Sequence, residues 1–371
     1  MKKIGIMTFH ASHNYGSVLQ AYALQKKLNA EGYDAKIINY RTDTQRSCYP
    51  LRHKYRGLKG AVRNVWQEII IGKLKRRYFG FEDFINNVLP TTHEIGGDRE
   101  LSEISDDFDT LICGSDQIWN PACQDFKTAY YLDFAEGKRR VAYAPSLGKA
   151  EFDSEDRELI ARLLDNIDSI SVREEKGAEL LSELTDKPVA TVCDPVALLD
   201  KQYWDEVAVK PKIKKPYVLC YFLNNNHGNR GYLDLIAKTL GLKVVVLNEI
   251  IRDFARFDYK KAYGAYPLEF IGLIKNAAFV YTNSFHATAF STIFNVPFAS
   301  MIADRDNVSN NNDSRKIDFL KRVGLENNCK KALTTEEITE LSKMSFDGAN
   351  ERLDAWRKES WKYLYGAIEN E

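Results

Sequence analysis

His286 stands in Tyr281-Thr282-Asn283-Ser284-Phe285-His286-Ala287, where a short apolar run gives way to the helical stretch ATAFSTIF. Imidazole titrates near neutrality, so a histidine at a strand-to-helix turn suits proton transfer, with Asn283 and Ser284 beside it as candidate ligand-binding groups. A lone histidine is more often structural; its position at the turn is what singles this one out. Arg173, in Ser171-Val172-Arg173-Glu174, follows another apolar run. Its guanidinium could grip a phosphate or carboxylate with two parallel donors. The ordinary alternative is an ion pair with Glu174, Glu175 or a core acid. Cys193-Asp194-Pro195 supplies an acid at the next strand end, placed to cap or orient. Asn310-Asn311-Asn312-Asp313-Ser314-Arg315 opens a helix, with Asp313 or Ser314 as the cap. Arg315 in its first turn runs against the helix dipole, which suggests an anion held nearby, although a solvated arginine would tolerate the same place.

Two further loops carry polar side chains of the right kinds. Thr8 to Ser17 (TFHASHNYGS) leads from an apolar run into a helix, with Asn14 or Ser17 as its cap and Gly16 between them. Backbone N–H groups at a helix start bind anions, so Asn14, Gly16 and Ser17 are candidates to hold an anionic donor. The loop lacks a GxGxxG pattern and does not support a dinucleotide site. Cys113-Gly114-Ser115-Asp116-Gln117-Ile118-Trp119-Asn120-Pro121 follows the strand TLIC. Asp116 is a candidate general base. Gln117, Trp119 and Asn120 together resemble a sugar-binding lip, the ring stacking and the amides bonding hydroxyls, where the plain alternative is a turn with an Asx cap.

These residues need elements that hold them at one edge. Short strands are expected at 3–9, 35–40, 110–113, 140–144, 169–172 and 190–192, with helices at 17–30, 153–164 and 175–184. A second series has strands at 216–223, 243–247, 279–282 and 297–302. Its helices are expected at 230–240, 267–275, from 286, and at 316–323. Strand-helix alternation of this kind implies parallel, doubly wound sheets, whose ligands sit at the carboxyl ends of the strands. The expected architecture is therefore α/β with two Rossmann-like domains, residues 1–207 and 208–345, joined at the lysine- and proline-rich VKPKIKKP near 205–216. A closing helix over 351–368, with Trp361, Leu364, Tyr365 and Ile368 on one face, is expected to carry 346–371 back to the first domain.

The 371 residues are enough for two cores. Lys+Arg and Asp+Glu are 52 each, a balance that argues against a dedicated nucleic-acid binder. Six scattered cysteines without a CxxC pair suggest a reduced, cytoplasmic protein with neither disulfides nor a zinc site. The opening MKKIGIMTFH reads as a first strand rather than a signal peptide. Only Arg46 to Gly80 departs from neutrality, with ten Lys/Arg and the single acid Glu68, interleaved with Trp66, Tyr78, Phe79 and three consecutive isoleucines. It reads as a helical insertion over about 44–90. That insertion is either an ordinary solvated one or a peripheral contact to anionic lipid.

Taken together, SHNYGSVLQAYAL, DTLICGSDQIWNP, SVREEKG, VCDPV, IKNAAFVYTNSFHATAFS and NDSRKIDFLKRVGL resemble the polysaccharide pyruvyl transferases over nearly the whole chain. The resemblance implies a GT-B-like fold and transfer of a pyruvyl group from phosphoenolpyruvate onto two hydroxyls of a sugar or lipid-linked acceptor, as a cyclic ketal. No metal-ligand cluster is visible in the sequence, so neither a metal nor a cofactor besides the donor is expected. His286, Arg173 and Asp116 match the family's histidine, strand-end arginine and aspartate. Many members carry arginine two residues before the histidine, where this chain has Ser284, so that anion-binding duty is absent or moved to Arg315. Two rival readings are a nucleotide-sugar glycosyltransferase, with Glu269 placed to grip a ribose, and a non-catalytic two-lobed sugar-binding protein.

Overall fold

The computed structural model describes residues 1–148, 151–213, 216–223, 231–247, 256, 258–302 and 313–369. Apolar runs such as KIGIM, TLIC and FVYT are too evenly hydrophobic for a half-exposed strand and suit the middle of a parallel sheet covered on both faces. They occupy that place here. The first sheet holds β1 (Lys3–Met7), β2 (Asp34–Tyr40), β3 (Thr91–Ile95), β4 (Thr110–Cys113), β5 (Arg139–Ala142), β6 (Ser169–Val172) and β7 (Val189–Thr191), in the order β3-β2-β1-β4-β5-β6-β7. The second holds β8 (Tyr217–Tyr221), β9 (Lys243–Val246), β10 (Lys260–Lys261), β11 (Phe279–Thr282), β12 (Phe298–Met301) and β13 (Cys329–Lys330), in the order β10-β9-β8-β11-β12-β13. All described pairings between these strands are parallel. Each sheet reverses its winding once, between β1 and β4 and between β8 and β11. Such switch points open a crevice at the strands' carboxyl ends.

Helices pack between and around the sheets. In the first half they are α1 (Tyr15–Ala30), α2 (Asp43–Cys48), α3 (Gly57–Ile69), α4 (Ile71–Asp83), α5 (Asp98–Ser105), α6 (Ser154–Leu164), α7 (Glu175–Ser182), α8 (Pro195–Leu198) and α9 (Lys201–Val207). In the second they are α10 (Leu233–Leu240), α11 (Pro267–Lys275), α12 (Phe285–Phe294), α13 (Ser314–Val323), α14 (Thr335–Leu341) and α15 (Asp347–Glu369). α1 has almost no polar face, because it is buried between the lobes. Tyr15 stacks on Phe270 at 4.6 Å and its hydroxyl donates to Ala265 O at 2.8 Å. One apolar cluster runs from Ile4 and Val18 through Tyr217, Phe270 and Phe290 to Leu364, so the two sheets share a core. That continuity fixes the walls of the crevice between them.

α15 crosses back over both lobes. Its carbonyls at Ile368 and Ala367 accept from Lys2 Nζ and Arg139 Nε, Ser360 Oγ accepts from Cys193 N at 2.9 Å, and Trp356 meets Phe319 of α13. Its buried face is Leu353, Trp356, Ser360, Leu364 and Ile368; Tyr365, expected on that face, is half exposed. Leu364 and Ile368 lie on the buried face as expected and Trp361 packs half-buried beside it, while a polar residue, Ser360, holds the middle of the stripe. Among the described residues no helix is long and apolar enough to cross a membrane. Lys214, Lys215 and Arg230, in the expected seam and helix, lie outside the described residues.

Candidate functional site

The crevice is built first from α1. Asn14 caps this helix, its Oδ1 accepting from Gly16 N at 2.9 Å. At Gly16 a β-carbon would stand 1.9 Å from His286 Nδ1, so only glycine lets the start of α1 touch an imidazole from the other lobe. Ser17 Oγ donates to Asp116 Oδ2, and Gln117 N donates to Asp116 Oδ1 at 2.9 Å. Asp116 takes a left-handed backbone (φ 68°), which aspartate tolerates better than most residues. Gln20 ties the two loops together. Its Nε2 donates to Thr8 Oγ1 and Ser17 O, and its Oε1 accepts from Ser115 N at 2.9 Å.

The charged centre comes from the ends of β6 and β7. Arg173 is 3% exposed and Asp194 is fully buried; Arg173 Nη1 donates to Asp194 Oδ2 in a tight ion pair. The core acid expected as Arg173's ordinary partner is therefore Asp194. Asp194 also caps α8, accepting from Val196 N at 3.0 Å. His286 Nε2 lies 3.6 Å from Asp194 Oδ2, within ion-pair reach but beyond a normal hydrogen bond. Burial alone would push the Asp194 carboxyl up; His286 and Arg173 outweigh it and hold it well below the usual carboxylate range. The Arg173 guanidinium also lies over the Phe285 ring at 4.5 Å.

Among the described residues, Arg173 Nε and Nη2, His286 Nε2 and Glu174 Oε2 are buried without hydrogen-bond partners. Ser146 Oγ donates to the other oxygen of Glu174. Arg315 is buried in the same electrostatic neighbourhood. Burial and then the Arg173 charge push its guanidinium down, while Glu174, Asp116 and Asp194 act the other way. Two arginines and three carboxylates from both lobes thus act on one another.

On the second lobe, Ser284 caps α12, its Oγ accepting from Ala287 N at 3.4 Å. Lys316, fully buried, donates from Nζ to Asn283 O at 3.0 Å and to Met301 O, and pairs with Asp313 at 2.8 Å. It pins the start of α13, and with it Ser314 and Arg315, to the carboxyl ends of β11 and β12. Asn310, Asn311 and Asn312 of the same motif lie outside the described residues.

Several expected roles change. Trp119 is no sugar-stacking platform: it is 0% exposed, its indole N–H donates to Tyr130 O at 3.0 Å, and it stacks on Tyr131 at 4.5 Å. Asn120, also expected at that lip, is buried; its Nδ2 donates to Gln117 Oε1 and its Oδ1 accepts from Ala122 N. Gly148 makes room for this pair, since a β-carbon there would stand 2.5 Å from Asn120 Nδ2. Asn283 uses both ends of its amide on Leu223, accepting from its N at 2.7 Å and donating to its O at 3.0 Å, so it holds strand ends rather than a ligand. Glu269 is gripped by Arg76 of α4 and bridges the insertion to α11. The sequence offers Glu174 only as an ion-pair partner of Arg173 and gives no site role to Ser146, Lys316 or Tyr49, whose hydroxyl burial and then the nearby Asp116 push up. Only the adjacency of Glu174 to Arg173 and of Lys316 to Arg315 could have drawn notice.

A family model described as polysaccharide pyruvyl transferase matches residues 14–305. Curated protein sequences give no match. Among solved structures, the chain is similar to a putative UDP-N-acetylglucosamine 2-epimerase from Listeria monocytogenes (TM-score 0.52, 11% identity, covering 98% of this chain and 90% of that one). It is also similar to the UDP-GlcNAc 2-epimerases of Methanocaldococcus jannaschii (0.51, 14%, 94% and 93%) and Rickettsia bellii (0.51, 11%, 100% and 97%). At such identities the likeness shows the fold alone, and that fold is GT-B, with two parallel-sheet α/β domains.

Proposed function

The chain belongs to the polysaccharide pyruvyl transferase family, and on that footing we propose that it moves the pyruvyl group of phosphoenolpyruvate onto two hydroxyls of a sugar, forming a cyclic ketal and releasing phosphate. The observation that carries this reading is the buried guanidinium of Arg173, which keeps Nε and Nη2 without partners beside a histidine whose Nε2 is likewise without one. Buried donors in that state favour an anionic ligand, because leaving them unmet is costly. Phosphoenolpyruvate brings a carboxylate and a phosphate, and Arg173 and Arg315 are the two cations to meet them. The acceptor in this reading is a saccharide on a polysaccharide precursor or lipid-linked oligosaccharide at the inner face of the cytoplasmic membrane.

Chemically, the donor's methylene carbon must gain a proton, which leaves positive charge on the carbon that carries phosphate. One sugar hydroxyl adds there and gives up its proton. The carbon–oxygen bond to phosphate then breaks, the second hydroxyl adds, and its proton leaves with phosphate. In this reading His286 gives the first proton, with the buried Asp194 carboxylate 3.6 Å from its Nε2. Asp116, its oxygens already oriented by Ser17 and Gln117 N, takes the hydroxyl proton. Asn14, Gly16 and Ser17 set the edge of the donor pocket at the start of α1.

Phosphate release from phosphoenolpyruvate, with the ketal methyl followed by proton NMR, tests this. His286→Ala should lower turnover about 10²–10⁴-fold with donor affinity largely kept, and near wild-type turnover would remove His286 from the chemistry. In a parallel thermal-shift series, phosphoenolpyruvate should raise Tm; stabilisation by nucleotide sugars instead would favour a glycosyltransferase.

A further inference from the structure

The insertion between β2 and β3 has a face that this chemistry does not use. Trp66 and Ile70, with Leu74 of α4, turn inward and pack on the core of the second sheet. On the outward side of α3, Val62, Val65 and Ile69 are 60, 62 and 61% exposed. Their spacing of i, i+3 and i+7 places them on one stripe. Phe79 of α4 is 59% exposed as well. Scattered single apolar residues are normal on a surface; an aligned aliphatic stripe along a helix marks a contact.

The segment that carries this stripe is rich in exposed cations. Arg52, Lys54, Arg56, Arg63, Lys73 and Lys75 are exposed along the insertion. The second lobe adds to them: burial and then the Lys261 and Lys260 charges push the Lys73 amine down, a sign that like charges gather here from both lobes. The one acid between Arg46 and Gly80, Glu68, is paired with Arg52 at 3.1 Å. An aliphatic stripe in a segment with ten cations and one acid matches an anionic lipid surface, where the stripe enters below the headgroups and the cations meet phosphates. A nucleic acid would use the cations and leave the aliphatic stripe in water.

We propose that the outward face of α3 docks on an anionic membrane, with Val62, Val65 and Ile69 inserted and Lys54, Arg56 and Arg63 on the headgroups. The same insertion reaches the crevice, since Arg77 of α4 donates to His13 O at 3.4 Å and lies over the Tyr15 ring. Docking would therefore bring the crevice to the bilayer, where a lipid-carried acceptor is held. That use rests on the proposed reaction; the docking itself is measured without substrate.

The test is co-sedimentation of the full chain with vesicles of mixed phosphatidylglycerol and phosphatidylcholine, against phosphatidylcholine alone. Binding should appear only with the anionic vesicles and fade as salt is raised. Val62→Ser/Val65→Ser/Ile69→Ser should weaken it by about tenfold or more. Arg56→Gln and Arg63→Gln should each weaken it about fivefold. These side chains are exposed, so the variants should keep the wild-type Tm; should the triple variant unfold, the two arginine variants decide alone. No binding to anionic vesicles, equal binding to neutral ones, or a dimer in sedimentation that Val65→Asp dissolves would overturn the proposal. Turnover of phosphoenolpyruvate with a soluble acceptor should be untouched by all of them, which separates failure of the docking from failure of the reaction.

Discussion

Arginine occurs in two settings in this molecule, and the physics is opposite in each. In the crevice Arg173 is out of water and paired with Asp194, with Glu174 and Arg315 near. In the insertion Arg52 is more than half exposed and its pair with Glu68 faces solvent. Water screens the second pair, and holding two long side chains together offsets most of its attraction. The first pair has no such screening, so its geometry is fixed and its loss leaves a bare charge in the core. A count of charges cannot tell a site from a surface. The burial of each charge and the company it keeps can.

The widest gap between the two settings should open with Asp194→Ala. Removing one member of a buried ion pair costs about 3–5 kcal/mol, read as a shift in the urea midpoint, and turnover should be abolished. A stability loss under about 1 kcal/mol would mean that water reaches Arg173 and that the contrast is wrong. The same group predicts a pH dependence. Its folded carboxyl is held below the unfolded value near 3.9, so its stabilisation is present above about pH 4 and is lost as pH falls through the folded value. Glu82, held down to about 2 mainly by the His13 hydrogen bond, acts in the same direction. Asp318, pushed up to about 6 by burial, acts oppositely between about pH 4 and 6. The net loss should therefore appear below pH 4, and Asp194→Asn should flatten it.

Gly16→Ala sharpens the comparison at the crevice. The added methyl cannot coexist with His286 where it stands. Forcing a group into such a packed contact costs about 1–3 kcal/mol, and turnover should fall with it. In a His286→Ala background the same substitution should cost little, since the two side chains compete for one space. Additive losses would place the His286 ring elsewhere. The smallest effect belongs to the insertion: Arg52→Ala should change stability by no more than about 1 kcal/mol and less at high salt. A larger loss would show that the Arg52–Glu68 pair is structural.

The alternation of apolar runs and helical stretches was enough to read two parallel sheets. β4, β6 and β11 begin and end where the apolar runs do, since a strand buried on both faces is mostly apolar and its few hydroxyls must be met, as Ser171 Oγ is by Ala142 O and Thr282 Oγ1 by Tyr221 O. β3 (TTHEI) escaped notice because an edge strand is half exposed and its sequence is mostly polar. β10 and β13, two residues each, are too short to carry any period. In the crevice, the turn positions of His286, Arg173 and Asp116 were legible because strand ends in this fold face the ligand edge. Trp119 misled, since an aromatic after a polar turn looks the same whether it turns out to a sugar or in to Tyr131.

By itself the sequence determined which residues end strands and start helices, because local periodicity and capping depend on neighbours along the chain. Tertiary structure alone decided which of those ends meet. That His286 enters from the second lobe against Gly16 of the first, that Asp194 is the acid shared by Arg173 and His286, and that Lys316 pins the helix bearing Arg315 are all contacts across long stretches of chain. No local pattern encodes them, because they follow from how two sheets and one shared core pack together in space.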